Sequence, residues 1–236
     1  MTYYKMTYNI HFKRANLYGW GCNFKCRGCS YKVRSPYEGE PPLKVERIKE
    51  LLRGLDIERV HFLGGEPTIN ADLPEVADFA QNELGLYTKI GHSNGSRLPP
   101  RGIKAMSVSL KACTDSIHID YTGVSNSEVL RNFEEAYKLG IALDASSVFI
   151  PDYIDCDEIE KIASFIASID PEMPYHIVGY VPAAGTPWRQ PTYREVEGAA
   201  TVANKYLSSV TFSCPSKEDV LHPEARDIRY RSVRVA

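Results

Sequence analysis

Short apolar runs alternate along this chain with longer stretches whose apolar residues recur three and four positions apart. Residues 59–64 (RVHFLG) predict a buried strand, and residues 73–84 (LPEVADFAQNEL) carry helical spacing. Residues 86–92 (LYTKIGH) and 103–110 (IKAMSVSL) are strand-like, with an SNGS turn between them. Ser125 and Glu128 have the spacing of a capping box. Val129, Leu130, Phe133, Ala136 and Tyr137 follow at helical period, and Gly140 is placed to end that helix. Residues 141–150 return as a strand. Asp155 and Glu158 open a helix with one apolar stripe, Ile159, Ile162, Ala163 and Ile166. Residues 175–181 predict a further strand, 193–207 a long helix weakened by Gly198, and VTF at 210–212 a last short strand.

Strand–helix alternation predicts an α/β fold with a parallel sheet and helices outside it. About six units are legible, fewer than the eight that close a TIM barrel, so the expected architecture is a partial, open (β/α)6-type TIM barrel. No repeat, low-complexity tract or linker interrupts the pattern. The expectation is one domain over residues 1–236, with residues 186–236 as a C-terminal extension of unassigned role. In such sheets chemistry gathers at the C-terminal ends of the strands.

Composition narrows the function classes. Of 236 residues, 43% are hydrophobic and 25% charged, enough for a core that needs no disulfide staples. A net charge of -2 gives no support for a nucleic-acid or anionic-membrane partner. No apolar run approaches the roughly 18 residues that span a bilayer. The N-terminal MTYYKMTYNIHFKRAN has no apolar signal region, so a cytoplasmic protein is expected. Tyr3, Tyr4 and Tyr8 read as core or interface, and residues 226–236 as a strand or surface-lying tail.

Three of the six cysteines stand together in GWGCNFKCRGCSYK: Cys22, Cys26 and Cys29. Thiolates suit iron–sulfur clusters, zinc and Cu(I). Closed zinc sites take four ligands, so three thiolates leave a free coordination position, unless a distant His or Cys214 completes a zinc site. The second signal is FLGGEPT. Gly64 and Gly65 after a buried strand allow close approach to the backbone, and Glu66 can accept from an ammonium group. The alternative is a tight turn with a solvated Glu. Cys113, Cys156 and Cys214 read as small apolar residues.

The C-x3-C-x2-C loop followed by GGEP after the next strand resembles the radical SAM superfamily. LKACTDSIHIDYTGVSNSEVLRNF, SSVFIPDYIDCDEIEKIASFIASI and PYHIVGYV are most similar to activating enzymes of glycyl radical enzymes, such as that of pyruvate formate-lyase. The resemblance implies that Cys22, Cys26 and Cys29 hold a [4Fe–4S] cluster whose open iron chelates S-adenosylmethionine. It implies that Gly64, Gly65 and Glu66 receive the methionine ammonium. Lys111 would lie near the SAM carboxylate or ribose, His176 on the ribose side, and Ser93 and Asn94 in a turn beside SAM. Read alone, Lys111 is also a solvated strand tip, His176 a hydrogen-bonded core group, and Ser93 and Asn94 turn formers. His92 stands where that branch carries an acidic residue, which argues against a monovalent-cation site. Ser30 and Tyr31 replace a His–Asn pair, so the loop's hydrogen bonding should differ. No further cysteine cluster follows Cys29, so one cluster is expected.

The implied activity is reductive cleavage of SAM to a 5′-deoxyadenosyl radical that abstracts hydrogen from substrate, a glycine of a glycyl radical enzyme being the first candidate. The implied setting is anaerobic, with an electron donor such as a flavodoxin or ferredoxin. The alternatives are a radical SAM enzyme acting on a small metabolite, nucleoside or peptide, and a non-catalytic zinc-binding protein.

Overall fold

The strand-like runs become the ribs of a single open sheet in a computed structural model that describes residues 2–32 and 41–236. In chain order the elements are β1 (Tyr3–Asn9), β2 (Arg14–Gly19), α1 (Val45–Gly54), β3 (Arg59–Leu63), α2 (Leu73–Asp78), β4 (Tyr87–Ser93) and β5 (Ala105–Ser109). They continue with α3 (Asp115–Thr122), α4 (Ser127–Lys138), β6 (Ala142–Phe149), α5 (Cys156–Ile169), β7 (Tyr175–Gly179), α6 (Tyr193–Ala203) and β8 (Val210–Ser213). Short helices α7 (Lys217–Leu221) and α8 (Pro223–Arg226) lead to β9 (Val233–Arg234). The sheet order is β8-β7-β6-β5-β4-β3-β2-β1-β9. Strands β2 to β8 are parallel, while β1 runs antiparallel to both β2 and β9. With β8 and β9 at opposite edges, the sheet is the partial, open barrel that the alternation predicts.

The sheet has two unlike faces, because successive side chains on a strand point to opposite sides. One face carries Val60, Phe62, Ile90, Met106, Val108, Leu143, Ala145 and Ile177, all buried. These pack with Leu73, Val76, Phe133, Ile159, Ile162 and Val196 from the helices in one continuous core. Alternate positions on the other face are His61, Lys89, Ser109, Asp144 and His176, all half-buried. The helix side therefore holds the fold together, and the concave side is left polar and open to water.

Two strands precede those legible in the sequence. The register between β1 and β2 shifts between Tyr3 and Lys5, which breaks the period-two signature, and β2 carries Arg14 and Asn16 among its apolar residues. Tyr3 is fully buried against Phe62, whereas Tyr4 and Tyr8 are half-buried. Three boundaries also differ from expectation. Ser125 does not cap α4. Asp115 accepts from the Ser125 hydroxyl and the Asn126 amide, and the helix starts at Ser127 without a side-chain cap. The 73–84 helix finishes in a wide turn over Phe79–Glu83, in which Leu84 N donates to Phe79 O. The last long helix ends at Ala203 and passes through tight turns to Leu207. Capping boxes do form at Thr192 with Glu195 and at Ser216 with Asp219.

The tail lies on the β1 edge. Met6 N donates to Ala236 O, and the buried Asn9 donates from Nδ2 to Arg229 O (2.8 Å) and Arg231 O (3.1 Å). Asn9 Oδ1 accepts from Phe12 N, so one side chain fastens both the β1–β2 turn and the tail. Asn9→Ala should lower the urea-unfolding free energy by about 1–3 kcal/mol, because partners of a buried amide go unpaired. It should also speed proteolysis within the tail. An unchanged urea midpoint would show that Asn9 is not the fastener.

Candidate active site

The thiol loop follows β2 directly and is fixed by backbone contacts on two sides. On one side, Lys25 N donates to Thr122 O and Arg27 N to Tyr121 O, so the loop is zipped to the end of α3. Gly28 is needed there, since an added Cβ would sit 2.9 Å from the Tyr121 hydroxyl and 2.9 Å from the Tyr180 ring. On the other side, Glu66 N donates to Gly21 O at 2.8 Å. Gly64 and Gly65 have φ of +91° and +21°, and a Cβ on either would meet the carbonyl oxygen of Gly19 or Gly21 at 2.0 or 1.7 Å. The two glycines thus let the end of β2 press against the turn after β3.

Glu66 is 1% exposed, and its carboxylate ties two strand ends together. Oε1 accepts from Thr68 N (3.0 Å), Thr68 Oγ1 (2.7 Å) and Ser93 Oγ (2.8 Å), and Oε2 accepts from Asn94 N (2.5 Å). An ionised carboxylate has about four acceptor positions over two oxygens, so Oε2 retains room for another donor. Ser93 is fully buried, and its hydroxyl also accepts from Gly95 N. Asn94 Nδ2 reaches the thiol loop, donating to Asn23 Oδ1 (2.9 Å) and to Cys22 Sγ (3.6 Å). Cys22, Gly64, Gly65, Glu66, Ser93 and Asn94 therefore form one unit.

Cys22 is exposed, while Cys26 and Cys29 are half-buried. Burial raises the Cys22 and Cys26 thiols above the usual range. Lys111 opposes this at Cys26, and the other two cysteines reinforce it. Lys111 thus faces the thiol loop from the end of β5, donating to Ser109 Oγ at 2.6 Å. Its segment is anchored by Glu158, which accepts from Cys113 N, Thr114 N and Thr114 Oγ1. His176 lies farther round the sheet, its ring nitrogens engaged with Thr211 Oγ1 (2.7 Å) and Ser213 Oγ (3.0 Å).

Several contributors carry no motif. Gly28 is required by close approach and Gly21 by its φ of +89°, and Tyr121 underlies the loop, its hydroxyl raised well above the usual range by burial and by Cys26 and Cys29. All six cysteines are free. Cys113 is half-buried, and burial with the nearby Glu158 pushes its thiol up to about 12. Cys214 donates to Pro191 O at 3.5 Å and does not reach the loop. Among the described residues, no three His, Cys, Asp or Glu side chains converge to hold a metal ion. No helix among them is long and apolar enough to cross a membrane.

Residues 18–166 match the family model described as the radical SAM superfamily. A protein of Methanocaldococcus jannaschii, provisionally named a glycyl-radical enzyme activating enzyme, is 30% identical over 86% of this chain and 82% of its own length. A radical SAM methyltransferase from Sphaerobacter thermophilus superposes with a TM-score of 0.63 at 14% identity, over 85% of this chain and 66% of that one. A domain of a pyruvate-formate lyase-activating enzyme from Bacteroides vulgatus superposes with a TM-score of 0.53 at 19% identity, over 66% of this chain and 98% of that one.

Glu66→Gln turns one acceptor into a donor facing donors. It should cost about 1–3 kcal/mol in urea unfolding and speed amide exchange at Asn94. Retention of both wild-type values would refute the tie. His61, on the concave face, gives a pH signature. Burial, then Arg14, Lys89 and Arg59, hold its imidazole down at about 3, against about 6.5 when unfolded. Between those values only the unfolded chain binds the proton, so stability falls as pH drops through about 6.5 towards about 3. His61→Gln should flatten the pH dependence of the urea midpoint in that window, and an unaltered slope would contradict the assignment.

Proposed function

The chain belongs to the radical SAM superfamily, and on that premise we propose that Cys22, Cys26 and Cys29 hold a [4Fe–4S] cluster beside a site for S-adenosylmethionine. Held by these three thiolates, the cluster would supply the electron for reductive cleavage of SAM and hydrogen abstraction from substrate. The observation that carries this reading is the fixed placement of the thiol loop against Glu66 and Asn94. The donors fit the cluster. They are all thiols, they sense one another's charge, and Cys214 is too far round the sheet to close a four-ligand site. A single ion needs its ligands to converge on one point, whereas a four-iron cube takes them on separate corners.

The chain's own residues then position SAM. Gly64 and Gly65 shape the turn that receives the methionine ammonium, and Glu66 Oε2 adds an acceptor. Lys111 offers a cation to the carboxylate or ribose, Asn94 borders the sulfur loop, and His176 serves the ribose side. Holding the sulfonium against the loop and keeping water out is the protein's share of the chemistry.

For the substrate, the first reading is a glycine of a glycyl radical enzyme, supported by the Methanocaldococcus jannaschii relative. The second is a small molecule within the open barrel, favoured by the polar concave face. A flavodoxin or ferredoxin is the proposed electron donor.

Anaerobic reconstitution should load about four irons and four sulfides per chain. With dithionite and SAM it should release 5′-deoxyadenosine. Alanine at Cys22, Cys26 or Cys29 should abolish both, whereas Cys214→Ala should retain both. Zinc without sulfide, or a loaded cluster that never cleaves SAM, would defeat the proposal. A glycyl radical on a co-expressed partner would decide for the first substrate reading.

A further inference from the structure

Lys111 belongs to no strand or helix, since β5 ends at Ser109 and α3 starts at Asp115. The link between them is nonetheless held at successive peptide groups. The buried Ser147 on β6 donates from Oγ to Leu110 O (2.8 Å). The buried Asn126 donates from Nδ2 to Ala112 O (3.2 Å) and Cys113 O (2.7 Å). Three donors of the link converge on Glu158 of α5, a helix outside the sheet. Oε1 accepts from Cys113 N (2.6 Å) and Thr114 N (2.7 Å), and Oε2 from Thr114 Oγ1 (2.7 Å). Lys161 Nζ adds a bond to Oε2 (3.3 Å) and one to Thr114 Oγ1 (2.8 Å). The carboxylate they surround is 2% exposed.

Three observations show that this carboxylate serves the link and not its own helix. The first is its position in α5. A Glu three residues after the N-cap commonly reaches back to cap its own helix. Here Asp155 caps α5 through Asp157 N, and Glu158 turns away to the link. The second is Thr114, the N-cap residue of α3. Its side chain does not cap that helix, and its hydroxyl donates to Glu158 instead. The third is what α3 does at its other end. Its last two carbonyls, Tyr121 O and Thr122 O, receive Arg27 N and Lys25 N of the thiol loop. A helix of eight residues is a rod about 12 Å long. Glu158 thus fixes the start of a rod whose end carries the thiol loop. Charge-assisted bonds from a carboxylate removed from water hold such a joint tightly.

We propose that Glu158 is a positioning residue that sets the spacing between Lys111 and the thiol loop, and through that spacing the fit of SAM between them. The proposal rests on the reading that Lys111 and the loop receive SAM. Glu158 touches neither cluster nor SAM and acts through the link at residues 110–114 and through α3. A small displacement of a positioned group is costly to binding and rate even when its cause lies outside the site.

The test compares Glu158→Ala, Glu158→Gln and Thr114→Val in the full chain, with Asn9→Ala as a destabilised control at the β1 edge. Amide exchange at Lys25 and Arg27 is read before reconstitution. SAM affinity and the change in the cluster's electron paramagnetic resonance spectrum on adding SAM are read after it. Glu158→Ala should speed that exchange and weaken SAM binding, each about tenfold, and blunt the spectral change. Glu158→Gln keeps an acceptor for both amides and should restore all three. Asn9→Ala should leave all three as in wild type. If Glu158→Ala does not fold, Thr114→Val, which removes only a hydroxyl, should show the same losses at about threefold. Wild-type readouts in the variants that fold, no rescue by Gln, or equal losses in Asn9→Ala would overturn the inference. The exchange readout separates the two readings. If wild type fails to bind SAM but exchange at Lys25 and Arg27 still depends on Glu158, the link through α3 stands and the SAM reading falls.

Discussion

The site depends on a contact between two pieces of backbone. The end of β2, Gly19 to Gly21, lies against the turn at Gly64 and Gly65 so closely that no side chain fits on Gly64 or Gly65. A direct hydrogen bond runs across it from Glu66 N to Gly21 O. This contact transmits the rigidity of the parallel sheet to the thiol loop, which has no regular structure between Gly19 and Ser30. Hydrogen-bonded strands move little, and a loop pressed on two adjacent strand ends inherits that order. The Glu66 carboxylate extends the same unit to β4 through Ser93 and Asn94.

The division of labour between the two faces of the sheet follows from this arrangement. The helix-covered face buries nearly all the large apolar strand residues and so supplies the stability. The concave face contributes little burial and carries groups that are costly to desolvate unless paired. Lys89 with Asp144, and Lys111 with Ser109, reduce that cost without filling the space. An open barrel tolerates this because water reaches the groups from its unpaired edge.

The sequence was most informative where a single constraint acts on consecutive residues. The helix stripe at Ile159, Ile162, Ala163 and Ile166 is fully buried, and the cysteine spacing and GGE turn are local signals whose residues do meet. Legibility failed where the deciding partner is remote. The Ser125 cap is pre-empted by Asp115, ten residues earlier. Strand β1 hides behind a register shift, and Gly28 is explained only by Tyr121 and Tyr180. The Glu66 carboxylate could be read as a free acceptor because Ser93 and Asn94 lie 27 and 28 residues away. A clue to the concave face was present, in the polar alternate residues of HFL, TKIGH, SVS, LDASS and YHIVG. Strands that should be apolar on both sides are polar on one only when that side stays wet.

The wall opposite Glu66 shows how far the fold goes to hold the thiol loop. The Arg27 guanidinium lies 4.7 Å from the Trp188 ring and pairs with Asp120, which also accepts from the Tyr153 hydroxyl. Trp188 stacks on Tyr153 at 4.6 Å and contacts Tyr121 and Tyr180. The segment after β7 is thereby fastened to the loop after β2, across a sheet whose edges never meet. In a closed barrel, strand pairing would supply that link. Here one indole, clasped between an arginine and three tyrosines, takes its place. The mouth can then stay open towards the concave face while the sulfur loop is held from both sides.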